Sequence, residues 1–287
     1  MNYSDITVGI VTFKSDKVIF QCLKSIKKIK KIIIFDNSND IKLKNKIAKI
    51  YPKIKFILSK KNLGYSKANN KLINFSKSKY FFVLSPDAIL KKNCESELLK
   101  LIKSKKSNFS IIAPIAKENN FGFFDKNRNT YNKHFIEVDY VKGFAMLINK
   151  IKIKKIGLFD ENFFLYLEEI DLCKRLLSKN EKIYVSKHAK IIHLGAKSSD
   201  LGFEYEKCRS WHWMWSKFYY NKKHKGYIFS FIKTFPTFIF SILKYFFYTF
   251  SGNKNKKEIY KMRILGNFNS YLLRNSFYRP QIKNTFN

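Results

Sequence analysis

Apolar runs alternate with amphipathic stretches through the first hundred residues. Ile6-Thr7-Val8-Gly9-Ile10-Val11-Thr12 reads as a buried strand, and residues 18–28 follow with Val18, Ile19, Cys22, Leu23 and Ile26 at helical spacing. Ile32-Ile33-Ile34-Phe35-Asp36 is a second apolar strand, before a helix over 41–51. A third pair occupies 53–59 and 65–76, and Tyr80-Phe81-Phe82-Val83-Leu84 makes a fourth strand ended by Ser85-Pro86. The strand ends at Thr12, Asp36, Ser59 and Ser85 recur about every two dozen residues. Right-handed strand–helix–strand crossovers need such a period, and a parallel sheet covered on both faces needs unbroken apolar strands. The expectation is an α/β fold: a Rossmann-like, mostly parallel sheet flanked by helices, with ligands outside the carboxyl ends of its strands. Thr12, Asp36 and Asp87 stand at or just past those ends.

Beyond residue 109 the pattern shortens to aromatic-rich strand candidates at 121–124 and 138–148. A helix follows over 168–179, then two short strands at 182–185 and 189–193, then a long aromatic helix over 203–222. No Ser/Gly linker interrupts residues 1–225, which read as one domain. Residues 227–250 differ, with Lys233 and Lys244 their only charges. At helical spacing Ser230, Lys233, Thr234, Thr237, Ser241, Lys244, Tyr248 and Ser251 share an arc of roughly 100°, opposite mainly Phe, Ile and Leu, with Pro236 as a kink. The length permits a membrane span, but a lysine near a bilayer centre costs about 2.5–3.5 kcal/mol. Residues 226–287 therefore read as an aromatic amphipathic helix and basic tail at a membrane interface. Packing on the protein itself or on a second subunit, and a true span, stay open.

Composition changes this picture only in part. Hydrophobic residues at 45% and aromatics at 17% exclude global disorder in a chain of 287 residues. The net charge of +36 points to anionic partners, yet only six of the 57 basic residues are Arg, the side chain that reads bases bidentately. No nucleic acid partner is expected. Residues 207–287 hold one acid, Glu258, against sixteen Lys and Arg, which favours an anionic membrane surface. The four cysteines have neither zinc nor redox spacing, and the N-terminus lacks the basic-then-apolar pattern of a secretory signal. A reduced, cytoplasmic setting, peripheral on the inner face of the cell membrane, is the expectation.

Seven motifs then appear in order: Ile10-Val11-Thr12-Phe13, Ile34-Phe35-Asp36-Asn37-Ser38, Asn62-Leu63-Gly64-Tyr65-Ser66-Lys67-Ala68-Asn69-Asn70, Leu84-Ser85-Pro86-Asp87, Lys142-Gly143-Phe144-Ala145-Met146-Leu147, Phe159 through Cys173, and His193 through Ser199. In this order they resemble family-2 glycosyltransferases, nearest the rhamnosyltransferase-like branch that builds surface polysaccharides on lipid-linked acceptors. The resemblance covers residues 6 to about 225. It implies a GT-A fold and sugar transfer with inversion from a nucleoside diphosphate sugar, deoxythymidine-diphosphate rhamnose or a uridine-diphosphate sugar.

Each site residue has a plain reading beside the implied one. Asp36 at a strand end can cap its own turn; the resemblance implies that it binds the donor's nucleotide with Thr12. Asn62 and Gly64 open a helix, a place that favours anions and close backbone approach, and the resemblance implies donor contact. Asp87 can hold Mg²⁺ or Mn²⁺ against a diphosphate. The family's fuller pattern has an acid where Ser85 stands, so the number of protein–metal bonds is open. His193 is a structural strand-end histidine or a metal ligand, as the resemblance implies. Glu168, Glu169 and Asp171 suit a helix N-terminus by the dipole alone. Inverting transfer also needs a base for the acceptor hydroxyl. The resemblance assigns that role to Glu169, with Glu168 and Asp171 in support, and Gly143 permits close substrate approach. Trp211, Trp213 and Trp215, with Tyr219 and Tyr220, stack on sugars or, as indoles two apart on a helix, divide between core and surface. A polyprenyl-phosphate sugar transferase and a catalytically inactive nucleotide-sugar-binding module are the rival readings.

Overall fold

The strand Tyr80–Leu84 is buried along its whole length, as its five apolar residues require. In the computed structural model, which describes residues 1–104, 108–116, 134–195 and 197–280, it lies inside a sheet of nine described strands. These are β1 (Ile6–Thr12), β2 (Lys31–Asp36), β3 (Lys55–Leu58), β4 (Tyr80–Leu84), β5 (Ala88–Leu90), β6 (Ile111–Ala116), β7 (Phe135–Glu137), β8 (Ala145–Asn149) and β9 (Ile183–His193). Their order is β3-β2-β1-β4-β8-β6-β9-β5, with β7 paired to β9. β3, β2, β1 and β4 run parallel, and β8 joins β4 antiparallel. The chain divides into two units, Met1–Asp160 with Glu168–Asp200, and Glu161–Leu167 with Leu201–Asn287.

In the first unit the sheet is covered on both faces, which explains its unbroken apolar strands. Against one face α1 (Asp16–Ser25), α2 (Ile41–Ile50) and α4 (Cys94–Lys103) bring Ile19, Leu23, Leu43, Ile47 and Leu98 into one core cluster with Ile6, Val8 and Ile10. Against the other, α3 (Gly64–Phe75), α5 (Lys150–Ile156) and α6 (Glu168–Leu177) bring Leu72, Ile153, Leu172 and Cys173 onto Phe81, Val83 and Met146. Gly9 has to be glycine, because a Cβ there would stand 2.0 Å from the Phe81 ring.

The strand ends fall within one residue of expectation. Two corrections concern the later chain. The strands expected at 182–185 and 189–193 are one, β9, which pairs with β7 at its start and β5 at its end. Its break is a register shift opposite Pro114 and Ile115, where proline cannot donate to the ladder. Within 138–148 only the end, from Ala145, is strand, and the stretch before it is irregular. The candidate at 121–124 lies outside the described residues.

In the second unit α7 (Phe203–Lys225), α8 (Tyr227–Phe250) and α9 (Lys254–Tyr271) pack together. The helix expected over 203–222 belongs with these two rather than with the sheet unit. Gly266 of α9 touches α7 so closely that a Cβ would stand 2.3 Å from the Trp211 carbonyl oxygen. The small polar residues of the α8 stripe face inward, with Ser230, Thr234 and Ser241 fully buried, while Lys233 of the same stripe is exposed. Ser230 Oγ donates to the Phe218 carbonyl at 2.8 Å, and Thr234 Oγ1 lies 3.2 Å from the Tyr271 hydroxyl. The apolar side of α8 faces outward, with Ile232 66% and Leu243 63% exposed. By length and composition α8 is long and apolar enough to cross a membrane.

Candidate active site

The site grows from the carboxyl ends of β1, β2, β4 and β9. Thr12 ends β1 and donates from Oγ1 to Asp36 Oδ1 at 2.9 Å across the parallel pair. Asp36 also accepts from the Ser38 and Asp40 N–H groups, at 3.1 and 2.8 Å, and from the Ser38 hydroxyl. Burial pushes its carboxyl up, and these hydrogen bonds only partly oppose it. Asp36 therefore organises the loop into α2, as a cap does, and lies beside Thr12 at the sheet edge. Asn62 accepts from Gly64 N–H at 2.9 Å, in a turn that holds Gly64 at φ +78°, where glycine is favoured. Asn37 secures this turn: it accepts from Leu63 N–H at 3.0 Å and donates to the Gly64 carbonyl at 3.2 Å.

Asp87 and His193, far apart in sequence, meet because β5 pairs antiparallel with β9 in the register Ala88↔His193. His193 Nε2 lies 3.5 Å from Asp87 Oδ1, and Ser85 Oγ donates to the same oxygen at 2.5 Å. Burial would raise the Asp87 carboxyl, but the bonds from His193 and Ser85 outweigh it and hold the group below its ordinary range. Asp87 Oδ2 is buried without a hydrogen-bond partner. A buried carboxylate oxygen left open is costly, and a divalent cation is the partner that an anionic oxygen beside an imidazole suits. Among the described residues no group of three or more His, Cys, Asp or Glu is placed so that it could hold a metal ion. Asp87 and His193 could offer a cation one carboxylate and one imidazole, and Ser85 orients Asp87.

Glu168 and Glu169 open α6. The chain reaches them through Tyr166 and Leu167, two consecutive residues at φ +74° and +68°, a conformation uncommon outside glycine. Glu168 is buried, and its Oε2 has no partner. Burial and the neighbouring Glu169 charge push its carboxyl well up. Glu169 is half-buried. Burial raises it as well, while its own and the Ile170 and Gly143 N–H groups and the Lys142 ammonium restrain the rise. Both carboxyls are thus raised, Glu168 further than Glu169. Asp171 is fully buried and accepts from Arg175 Nε at 2.8 Å. The same guanidinium donates to the carbonyls of Ile156, Gly157 and Leu158, so Asp171 acts through Arg175 on the exit from α5.

Residues 142–144 join the two halves. Gly143 accepts from the Tyr65 hydroxyl at 2.5 Å, and a Cβ on Gly143 would stand 3.2 Å from that oxygen. The Phe144 carbonyl accepts from Ser85 N–H at 2.8 Å, and its ring stacks on His193 with centroids 4.3 Å apart. Sequence reasoning missed Tyr65, Lys142, Phe144 and Arg175 as parts of the site. Three of them stand inside the quoted motifs, where position alone signalled them. All four cysteines are buried and free, and burial pushes the Cys173 thiol up to about 12.

The sequence model of Glycosyl transferase family 2 matches residues 7–171. The low-salt glycan biosynthesis hexosyltransferase Agl10 of Haloferax volcanii is 28% identical over 62% of this chain, and rhamnosyltransferase WbbL of Escherichia coli K12 is 28% identical over 51%. These matches span 64% and 66% of the relatives' own lengths, just under two-thirds. Among solved structures, mannosyltransferase PcManGT from Pyrobaculum calidifontis in complex with GDP-Man and Mn²⁺ gives a TM-score of 0.57 at 10% identity, over 93% of this chain and 86% of its own. GalNAc-T7 with UDP, GalNAc and Mn²⁺ gives 0.54 at 13% identity, over 76% of this chain and 50% of its own. At such identities the likeness speaks for the fold, which is GT-A. With a family match over more than half its length, across the strands that carry Thr12 and Asp36, the turn that carries Asp87 and into the helix that carries Glu169, the chain belongs to glycosyl transferase family 2.

Proposed function

We propose that the protein transfers a sugar, rhamnose or a similar hexose, from a nucleoside diphosphate donor to a saccharide or lipid-linked acceptor in surface polysaccharide synthesis, with inversion at the anomeric carbon. The observation that carries this reading is the 142–144 segment, whose Gly143 carbonyl is held by Tyr65, whose Phe144 carbonyl is held by Ser85 and whose Phe144 ring stacks on His193, while its Gly143 N–H opposes the rise of the Glu169 carboxyl. Base and diphosphate side thus share one piece of backbone. The acceptor oxygen attacks the anomeric carbon, the bond from that carbon to the diphosphate breaks on the opposite face, and Glu169 takes the hydroxyl proton. Lys142 and the backbone N–H groups oppose the upward pull of burial on Glu169. Asp87 and His193 would hold Mg²⁺ or Mn²⁺, whose charge offsets that developing on the leaving diphosphate. The turn at Asn62–Gly64 and the Thr12–Asp36 pair line the donor side.

The same reading places the protein at the inner face of the cell membrane, with the outward apolar side of α8 against the bilayer and the basic chain around it against anionic headgroups. Support comes from the burial of α8, with Ser230, Thr234 and Ser241 inside and Ile232, Leu243 and Phe250 outside, since packing by small polar residues is how helices associate beside lipid.

The test is transfer of radiolabelled sugar from a panel of nucleoside diphosphate sugars, with Glu169→Gln and Asp87→Ala in parallel. Glu169→Gln should abolish transfer and keep donor binding, whereas Asp87→Ala should lose metal-dependent donor binding. A wild-type protein that binds a donor and never turns it over would instead mark an inactive binding module.

A further inference from the structure

A cavity of about 160 Å³ in the second unit is walled by residues that include Asn162, Trp215, Tyr219, Lys222, Leu273 and Arg274. Sites for whole drug-sized ligands run about 300–1,000 Å³, so this one suits a single small headgroup. Its charge calls for an anion. Among the described residues neither Lys222 nor Arg274 has an ion-pair partner. The one acid of residues 207–287, Glu258, lies 3.8 Å from Lys261. Two cations left uncompensated at one cavity repel each other, and phosphate oxygens between them replace that repulsion with charge-assisted hydrogen bonds.

The rest of the cavity is built and partly apolar. Trp215 and Tyr219 stack with centroids 4.9 Å apart. Trp215 Nε1 donates to the Arg274 carbonyl at 2.9 Å, which fixes the backbone that carries the guanidinium. Asn162 Nδ2 donates to the Tyr219 hydroxyl at 3.0 Å. At the rim Leu273 is 56% exposed, and Leu272 next to it and Phe277 four residues on are exposed too. An anion-seeking cavity with an apolar lip selects an amphiphile.

We propose that this cavity binds the phosphate or diphosphate head of a lipid whose chain leaves over Leu273. This binding does not depend on the transferase reading above.

Full-length protein in mild detergent is titrated calorimetrically with farnesyl diphosphate, farnesol and inorganic pyrophosphate, and is sedimented with phosphatidylglycerol vesicles. Wild type should bind farnesyl diphosphate at least tenfold more tightly than farnesol or pyrophosphate. Lys222→Ala/Arg274→Ala should lose at least tenfold, and Lys222→Arg/Arg274→Lys should recover most of the affinity. Nucleotide-sugar binding and vesicle sedimentation should stay unchanged in both. The proposal is overturned if wild type does not bind farnesyl diphosphate, or if the double alanine variant binds it equally well. Pyrophosphate binding as tightly would mark a free-phosphate site, and a parallel loss of sedimentation a general membrane contact; either also overturns it. Failure of wild type to bind any donor sinks the transferase reading alone, because the prenyl diphosphate titration needs no donor.

Discussion

Tyr65 donates its phenolic hydrogen to the carbonyl of Gly143 at 2.5 Å, tying the turn that opens α3 to the segment that supports Glu169. Tyr65→Phe leaves that carbonyl without this donor and should cost about 1–3 kcal/mol in stability. Gly143→Ala sets a methyl 3.2 Å from the same oxygen and should displace Tyr65 by a few tenths of an ångström. Both variants should lower kcat more than donor affinity; steady-state kinetics with one donor checks this.

Lys142 restrains the rise of the Glu169 carboxyl. A base works only when ionised, so kcat should climb with pH through a limb above the ordinary glutamate value of about 4.3. Lys142→Met removes a stabilising cation and should move that limb to higher pH, by about one unit. A pH–rate profile of both proteins decides it, and an unmoved limb would sever Glu169 from the observed titration.

Glu168 is the carboxyl raised furthest of the pair, by burial and then by Glu169. Its folded-state pKa exceeds the unfolded one, so the folded chain holds the proton more tightly. The stability this contributes is present below the unfolded value and is lost as pH rises through the folded one. Glu168→Gln should therefore melt near wild type at about pH 4 and above it at pH 8.

In the second unit His212 is fully buried, with Nε2 2.9 Å from the Tyr278 carbonyl, and burial lowers its pKa to about 3. The unfolded chain binds that proton first, so stability should fall as pH drops from the ordinary histidine value of about 6.5, at no more than about 1.4 kcal/mol per pH unit. His212→Gln should flatten the slope in thermal melts followed between pH 7 and 4.

Ile232 and Leu243 on the outward side of α8 touch little of the protein. Ile232→Glu/Leu243→Glu should leave the melting temperature nearly unchanged and cut sedimentation with phosphatidylglycerol vesicles at least tenfold. Unchanged sedimentation would remove the membrane from the functional reading.

The alternating pattern of the first hundred residues contained the order of β1 to β4 and their helices, because strands buried on both faces are unbroken apolar runs and crossover helices carry one apolar stripe. It also placed Thr12, Asp36 and Asp87 at one edge, since a period of about two dozen residues admits little but parallel crossovers. Where that logic stops, so did the reading. α9 is polar around most of its circumference and shows no 3.6-residue stripe, so it read as a tail; in the structure Gly266 and its buried neighbours give it a contact that periodicity does not encode. The polar stripe of α8 was legible, but not that its Ser230, Thr234 and Ser241 turn inward, because amphipathicity states that two faces differ and not which one meets protein.

Local pattern thus determined which residues form each element and which side chains stand at strand ends. Long-range pairing decided the rest. The register of β5 on β9 sets His193 beside Asp87, and an irregular stretch with no periodic signal folds Gly143 under Tyr65 and toward Glu169. Such contacts are made by the fall of the whole chain, whose energy comes from packing between elements distant in sequence, and no window of neighbouring residues contains it.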